Sequence, residues 1–177
     1  MDPSSARIQN AWRQASSWIT ENSGSANQAF LTNVPTGRLA FGIATLAAQT
    51  RNLRISAIPK GEVENIGVLD LASGDEAAAA LGRKDTASVN VDYSISIDGM
   101  ELDIHTIVER TPSGALDLNL VWWPDQAFPE DEDPHPRFDA ILNFFIRLQD
   151  LFSAKRLYLG SDTPEKPAPG SIDWIEV

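Results

Sequence analysis

The chain has 177 residues, of which 42 % are hydrophobic and 22 % charged, enough to bury one substantial core and ordinary for a globular protein. It carries a formal net charge of −11, which disfavours nucleic acid and anionic membranes as partners. It has no cysteine, which excludes disulfides, thiolate metal sites and cysteine nucleophiles. Residues 1–85 balance eight acids with eight bases, so residues 86–177, with seventeen acids and six bases, hold the whole imbalance.

The opening residues lack the charged-then-apolar pattern of a secretory signal, and the longest nearly apolar run, "LAFGIATLAA", is far short of a membrane span. These features predict a cytoplasmic protein, folded as a single domain over residues 1–177.

Asp2 and Pro3 suit a helix start. Ile8, Ala11, Trp12, Ala15, Trp18 and Ile19 then recur at helical spacing, and Gly24 follows, which predicts an amphipathic helix over residues 3–21 with its tryptophans as core anchors. Leu39, Ile43, Leu46 and Ala47 favour a helix from Thr36 to Thr50, although Leu39, Phe41 and Ile43 also fit a strand. "NLRISAI" (52–58) alternates as a strand does, and "IGVLDL" (66–71) reads as a short one. Ser73 as a cap, acids in the first turn and Gly82 at the end mark a short helix.

Residues 88–123 give the strongest pattern. Val89, Val91, Tyr93, Ile95 and Ile97 alternate with polar residues up to Asp98–Gly99, the dipeptide suited to a two-residue hairpin because both positions need positive φ. Met100, Leu102, Ile104, Thr106 and Val108 continue the alternation. "TPSG" supplies a second turn, and Leu116, Leu118, Leu120 and Trp122 a third strand. A two-residue loop sets Asp92 opposite His105, and a three-residue loop sets His105 opposite Val121. Both registers keep the apolar side chains on one face. A helix is expected over residues 136–152, with an apolar stripe of Phe138, Ile141, Leu142, Phe145, Leu148 and Phe152 widened by Phe144 and Leu151. "KRLYLG" (155–160) and "IDWIEV" (172–177) read as further strands. The pattern predicts an α+β fold: an antiparallel sheet built on a three-stranded meander, packed against an N-terminal and a C-terminal helix.

Known catalytic motifs are absent: no nucleophile elbow, phosphate loop, dinucleotide fingerprint or zinc-binding His pair occurs. No cofactor or metal site is expected. His135, between two prolines, reads as an exposed loop residue or helix cap. Asp92, His105 and Ser94 can be drawn as a triad on the polar sheet face, the weak case for a small hydrolase or isomerase. A flat face offers no oxyanion hole, and a cross-strand ion pair is the simpler reading.

The derived registers gather Asp92, Glu101, Asp103, Glu109 and Asp117 on that polar face, together with Ile107, Val121 and Trp123 and without a lysine or arginine. The connection carrying Glu130, Asp131, Glu132 and Asp133 follows near the same edge. A tryptophan among carboxylates suits a binding anchor. The sequence thus predicts a non-enzymatic module that captures a basic protein partner, comparable in size, charge and class to immunity proteins and to effector chaperones or adaptors. Two simpler readings compete: the first half of the chain covers this face, with Arg51, Arg54 or Lys60 neutralising it, or the acids merely maintain solubility. A further alternative is a structural subunit whose helices make oligomer contacts.

Overall fold

The computed structural model describes residues 3–20, 25–61, 68–161, 166–167 and 174–177. The expected helix boundaries at Asp2 and Gly24, and parts of the segments 66–71 and 172–177, lie outside these residues. The chain is α+β, with helices packed on an eight-stranded antiparallel sheet. In chain order the elements are α1 (Pro3–Ile19), β1 (Asn27–Val34), a 3-10 turn (Thr36–Arg38), α2 (Leu39–Gln49), β2 (Arg51–Pro59), β3 (Leu69–Leu71), α3 (Gly74–Leu81), β4 (Thr86–Ile97), β5 (Met100–Arg110), β6 (Leu116–Trp122), α4 (Pro124–Ala127), α5 (Pro134–Phe152), β7 (Arg156–Ser161) and β8 (Trp174–Glu176). The strand order is β3-β2-β4-β5-β6-β1-β7-β8. Among the described residues no helix is long and apolar enough to cross a membrane.

The sheet is therefore wider than three strands. β4, β5 and β6 occupy its middle, flanked by β2 on one side and by β1 on the other. Ile97 pairs with Met100 around Asp98 and Gly99, both at positive φ (47° and 83°), so the primed turn follows the natural twist of the strands. At the next turn the Gly114 N–H donates to the Thr111 carbonyl and the Thr111 N–H to the Ala115 carbonyl, with Gly114 also at positive φ. These closures put Asp92 opposite His105 and His105 opposite Val121.

β1 was not expected from the sequence. It lies between β6 and β7, with Ala29 opposite Leu120 on one side and Leu159 on the other. β2 breaks its alternation between Arg51 and Arg54, where Asn52 takes a left-handed φ of 56°. Such a residue tolerates this conformation because its short polar side chain bonds locally.

One face of the sheet meets the helices. Leu102, Ile104, Leu118, Leu120 and Trp122 from the strands share one continuous core with Ile8 and Ala15 of α1, Leu39 and Ile43 of α2, Ala77 of α3 and Phe138, Phe145 and Phe152 of α5. α5 buries more than one stripe, Phe144 and Ile146 included, because it packs on the sheet and also against α1 and α2. Trp12 is only partly buried and stacks on Phe138 and His135. His135 is thus not a loop residue: it stands in the first turn of α5, 3.6 Å from Asp139 and packed on Trp12. On the opposite sheet face Phe30, Tyr158 and Trp174 form a separate small cluster over β1, β7 and β8.

Candidate functional site

The helix-free face of β4, β5 and β6 presents the residues that alternate with the core. From β4 these are Asn90, Asp92, Ser94 and Ser96. From β5 they are Glu101, Asp103, His105, Ile107 and Glu109, and from β6 Asp117, Asn119 and Val121. Trp123 follows one step beyond Trp122, at the N-cap of α4, with 40 % of its surface exposed.

His105 Nδ1 meets Asp92 Oδ1 across the β4–β5 ladder, an ionic pair when the imidazole is protonated. Ser94 does not join it. Its hydroxyl donates to Asp103 Oδ1 at 2.7 Å and accepts from the Asn52 amide at 3.5 Å, so the drawn triad of Asp92, His105 and Ser94 is not assembled. The second Asp103 oxygen accepts from the Gln126 amide at 3.3 Å, while Gln126 Oε1 accepts the Asp103 backbone N–H at 3.1 Å. Through this clasp α4 takes the place a longer β6 would have held beside β5.

The meander itself brings no lysine or arginine to this face, but cations reach it from outside, Arg51 among them as one of the competing readings had it. Arg51, at the start of β2, reaches Glu101 at 3.1 Å. Arg54 stands opposite Asp92 in the β2–β4 ladder. Lys166, from the connection between β7 and β8, reaches Glu109 at 2.6 Å and Asp117 at 3.9 Å. Glu109 and Asp117 face each other directly across the β5–β6 ladder, where like charges repel, so a shared ammonium relieves an unfavourable pair. The described residues of the first half of the chain extend the sheet on both sides, as β2 and β1, and bring two arginines to the margin of this face.

The acidic connection also divides. Glu132 pairs with Arg137 at 2.6 Å, and Asp133 caps α5 by accepting the His135 N–H at 3.1 Å. Both are engaged in starting α5. Glu130 and Asp131 are exposed and make no ion pair with the described residues, and Asp125 accepts only the Gln126 N–H. On this face and its acidic connection, the acids that pair with neither a cation nor a histidine among the described residues thus lie around α4: Asp103, Asp125, Glu130 and Asp131. Asp125 and α4 itself were not singled out from the sequence. The available signal was Pro124, suited to the first position of a helix, directly after Trp123.

Two clefts lined by described residues lie away from His105. One of about 520 Å³ runs between α2 and α5 beside the end of β4, and one of about 420 Å³ lies between the Asp98 turn and the start of α5. His105 lines neither. Among the described residues no group of three or more potential ligands is placed to hold a metal ion. Compared with known proteins, the chain matches no protein-family model, no curated protein and no solved structure.

Proposed function

We propose that this chain is a non-enzymatic protein-binding module that captures a basic protein partner on the polar sheet face, at the end nearest α4. One observation carries the reading: Trp123, 40 % exposed, opens α4, and Asp103, Asp125, Glu130 and Asp131, which touch α4 or lie in and just after it, pair with no cation among the described residues. An exposed aromatic anchor in an acidic stretch supplies contact area at its centre and attraction at its rim. Two hydrogen bonds from neutral groups, Ser94 and Gln126, hold the Asp103 side chain in place. Asp92, Glu101 and Asp117 belong to the same face but are engaged by the His105 imidazole, Arg51 and Lys166, and act as its frame. Glu130 and Asp131 extend the negative field beyond the sheet, while Glu132 and Asp133 hold the helix start.

Immunity proteins and effector chaperones or adaptors remain the analogy, by size, charge and fold class. The alternative of a small hydrolase or isomerase at Asp92 and His105 has less support, because the one nearby nucleophile, Ser94, donates to Asp103 instead.

Capture from an extract of the native cell at low and at high salt tests the reading. Attraction of this kind is screened, so a specific partner is retained at low salt and released at high salt. Trp123→Ala weakens that complex by about 2 kcal/mol, roughly thirtyfold, mainly through faster dissociation. Asp131→Asn mainly slows association. A partner held equally at both salts and indifferent to Trp123→Ala overturns the proposal.

A further inference from the structure

β4 outruns its neighbour. β2 begins at Arg51, opposite Ser94, whereas β4 continues to Ile97. Ile97 and Met100 close the two-residue turn, so the backbone groups of Ile97 and Ile95 point at β5. Those of Ser96 point the other way, past the end of β2, and no described residue hydrogen-bonds to them there. An unpaired N–H and C=O on one residue form a short template for another strand.

This free stretch walls the cleft of about 520 Å³. Thr45 and Gln49 of α2 face Phe144, Arg147, Leu148 and Leu151 of α5 across it. The floor is apolar, since Ile95, Ile97, Phe144 and Leu148 are buried beneath the opening. Arg147 is exposed above that floor. The ion pairs of the described residues engage Arg51, Arg83, Arg137, Arg156 and Lys166, but not Arg147, although the chain has a net charge of −11.

We propose that this cleft binds an extended peptide segment of a partner protein, one that adds as a short strand to β4 at Ser96, seats a large apolar side chain on the floor and presents a carboxylate to Arg147. Backbone pairing supplies the docking direction, and the side-chain pocket with its cation supplies the selection. α2 ends at Gln49 beside the cleft, and the carbonyl end of a helix disfavours a negative group. That places the carboxylate on the α5 side, under Arg147. The site is distinct from the Trp123 face and does not depend on it.

The probe is acetyl-Thr-Val-Thr-Val-Leu with a free carboxylate, compared with its C-terminal amide, titrated into the full chain and followed by backbone amide NMR. The free acid is expected to shift the signals of Ser96 and of residues around Arg147, and the amide to bind about tenfold more weakly. Arg147→Gln weakens the free acid by a similar factor of about ten. Ser96→Pro weakens it as well while leaving the β4–β5 ladder intact, because the Ser96 N–H does not donate to β5. Should Ser96→Pro fail to fold, peptides N-methylated in turn at each valine remove the same pairing from the ligand side. The proposal is overturned if no peptide shifts these signals at millimolar concentration. Binding that ignores both the amide and Arg147→Gln overturns it too, as does binding unaffected by Ser96→Pro and by N-methylation.

Discussion

Tyr93 carries its hydroxyl from β4 into the core, where it is 3 % exposed, and among the described residues neither it nor the nearby Thr106 hydroxyl closes a hydrogen bond. Burial pushes the phenol well above its ordinary value of 10.0, and the adjacent Thr106 only partly offsets this. The sign of the linkage follows. Above about pH 10 the unfolded chain releases the phenolic proton while the folded chain keeps it, so the folded state loses stability as pH rises through that range. Tyr93→Phe is expected to be neutral or stabilising by about 1 kcal/mol at pH 7, since it removes an unsatisfied buried hydroxyl. It should also flatten the loss of stability at alkaline pH. Urea midpoints of both chains from pH 7 to pH 11 check this, and an unchanged alkaline slope would show that other groups set it. At this scale the sequence was half legible. The alternation marks Tyr93 as inward, and Arg51 was one of three candidate cations for the polar face, whereas Lys166, which meets Glu109 and Asp117, comes from a distant connection and was not readable beside the strands it serves.

Among the elements, α2 and α5 pack closely where Gly42 meets Phe152. A Cβ on Gly42 would lie 2.0 Å from Cε1 of the buried Phe152 ring. On an open helix surface Gly→Ala stabilises by about 1 kcal/mol. Here the overlap outweighs that gain, and Gly42→Ala is expected to destabilise by about 1–3 kcal/mol net. Gly37, with nothing within 4 Å of its Cβ position, provides the neutral comparison. Pairing Gly42→Ala with Phe152→Leu should recover part of the loss in a denaturant titration, and failure to do so would place the strain elsewhere. The elements differed in how plainly the sequence announced them. β4, β5 and β6 are covered on one side only, so their residues alternate. β1 buries Ala29, Phe30 and Leu31 in succession, because Phe30 lies under Trp174 and Tyr158 while its neighbours face the helices. Cover on both sides erases the alternation that identifies a strand. α4 is four residues long, too short to show a helical period.

For the whole molecule, the α+β class is readable because helical and alternating segments are cleanly separated in the chain. The strand order is not, since it depends on pairings between distant segments. β1 draws together residues 27–34, 116–122 and 156–161, so this half of the sheet closes only when the C-terminal strands arrive. A chain ending after Ala154 lacks Leu157 and Leu159, both almost fully buried, and leaves β1 as a bare apolar edge. Such an edge invites pairing between copies. The truncated chain is therefore expected to aggregate rather than unfold cooperatively, as size-exclusion chromatography and circular dichroism would report. A monomer with a sharp unfolding transition would show that the remaining strands are self-sufficient.

The bulge in β2 has an electrostatic consequence. In a regular ladder Asn52 would stand opposite Ser94, and the guanidinium before it would be aimed at the aliphatic interior. The extra residue, absorbed by the left-handed torsion at Asn52, instead brings Arg51 round to Glu101. A β-branched residue at 52 would resist that torsion and favour the straight path. The side of the molecule on which this positive charge emerges is thus decided by one backbone angle.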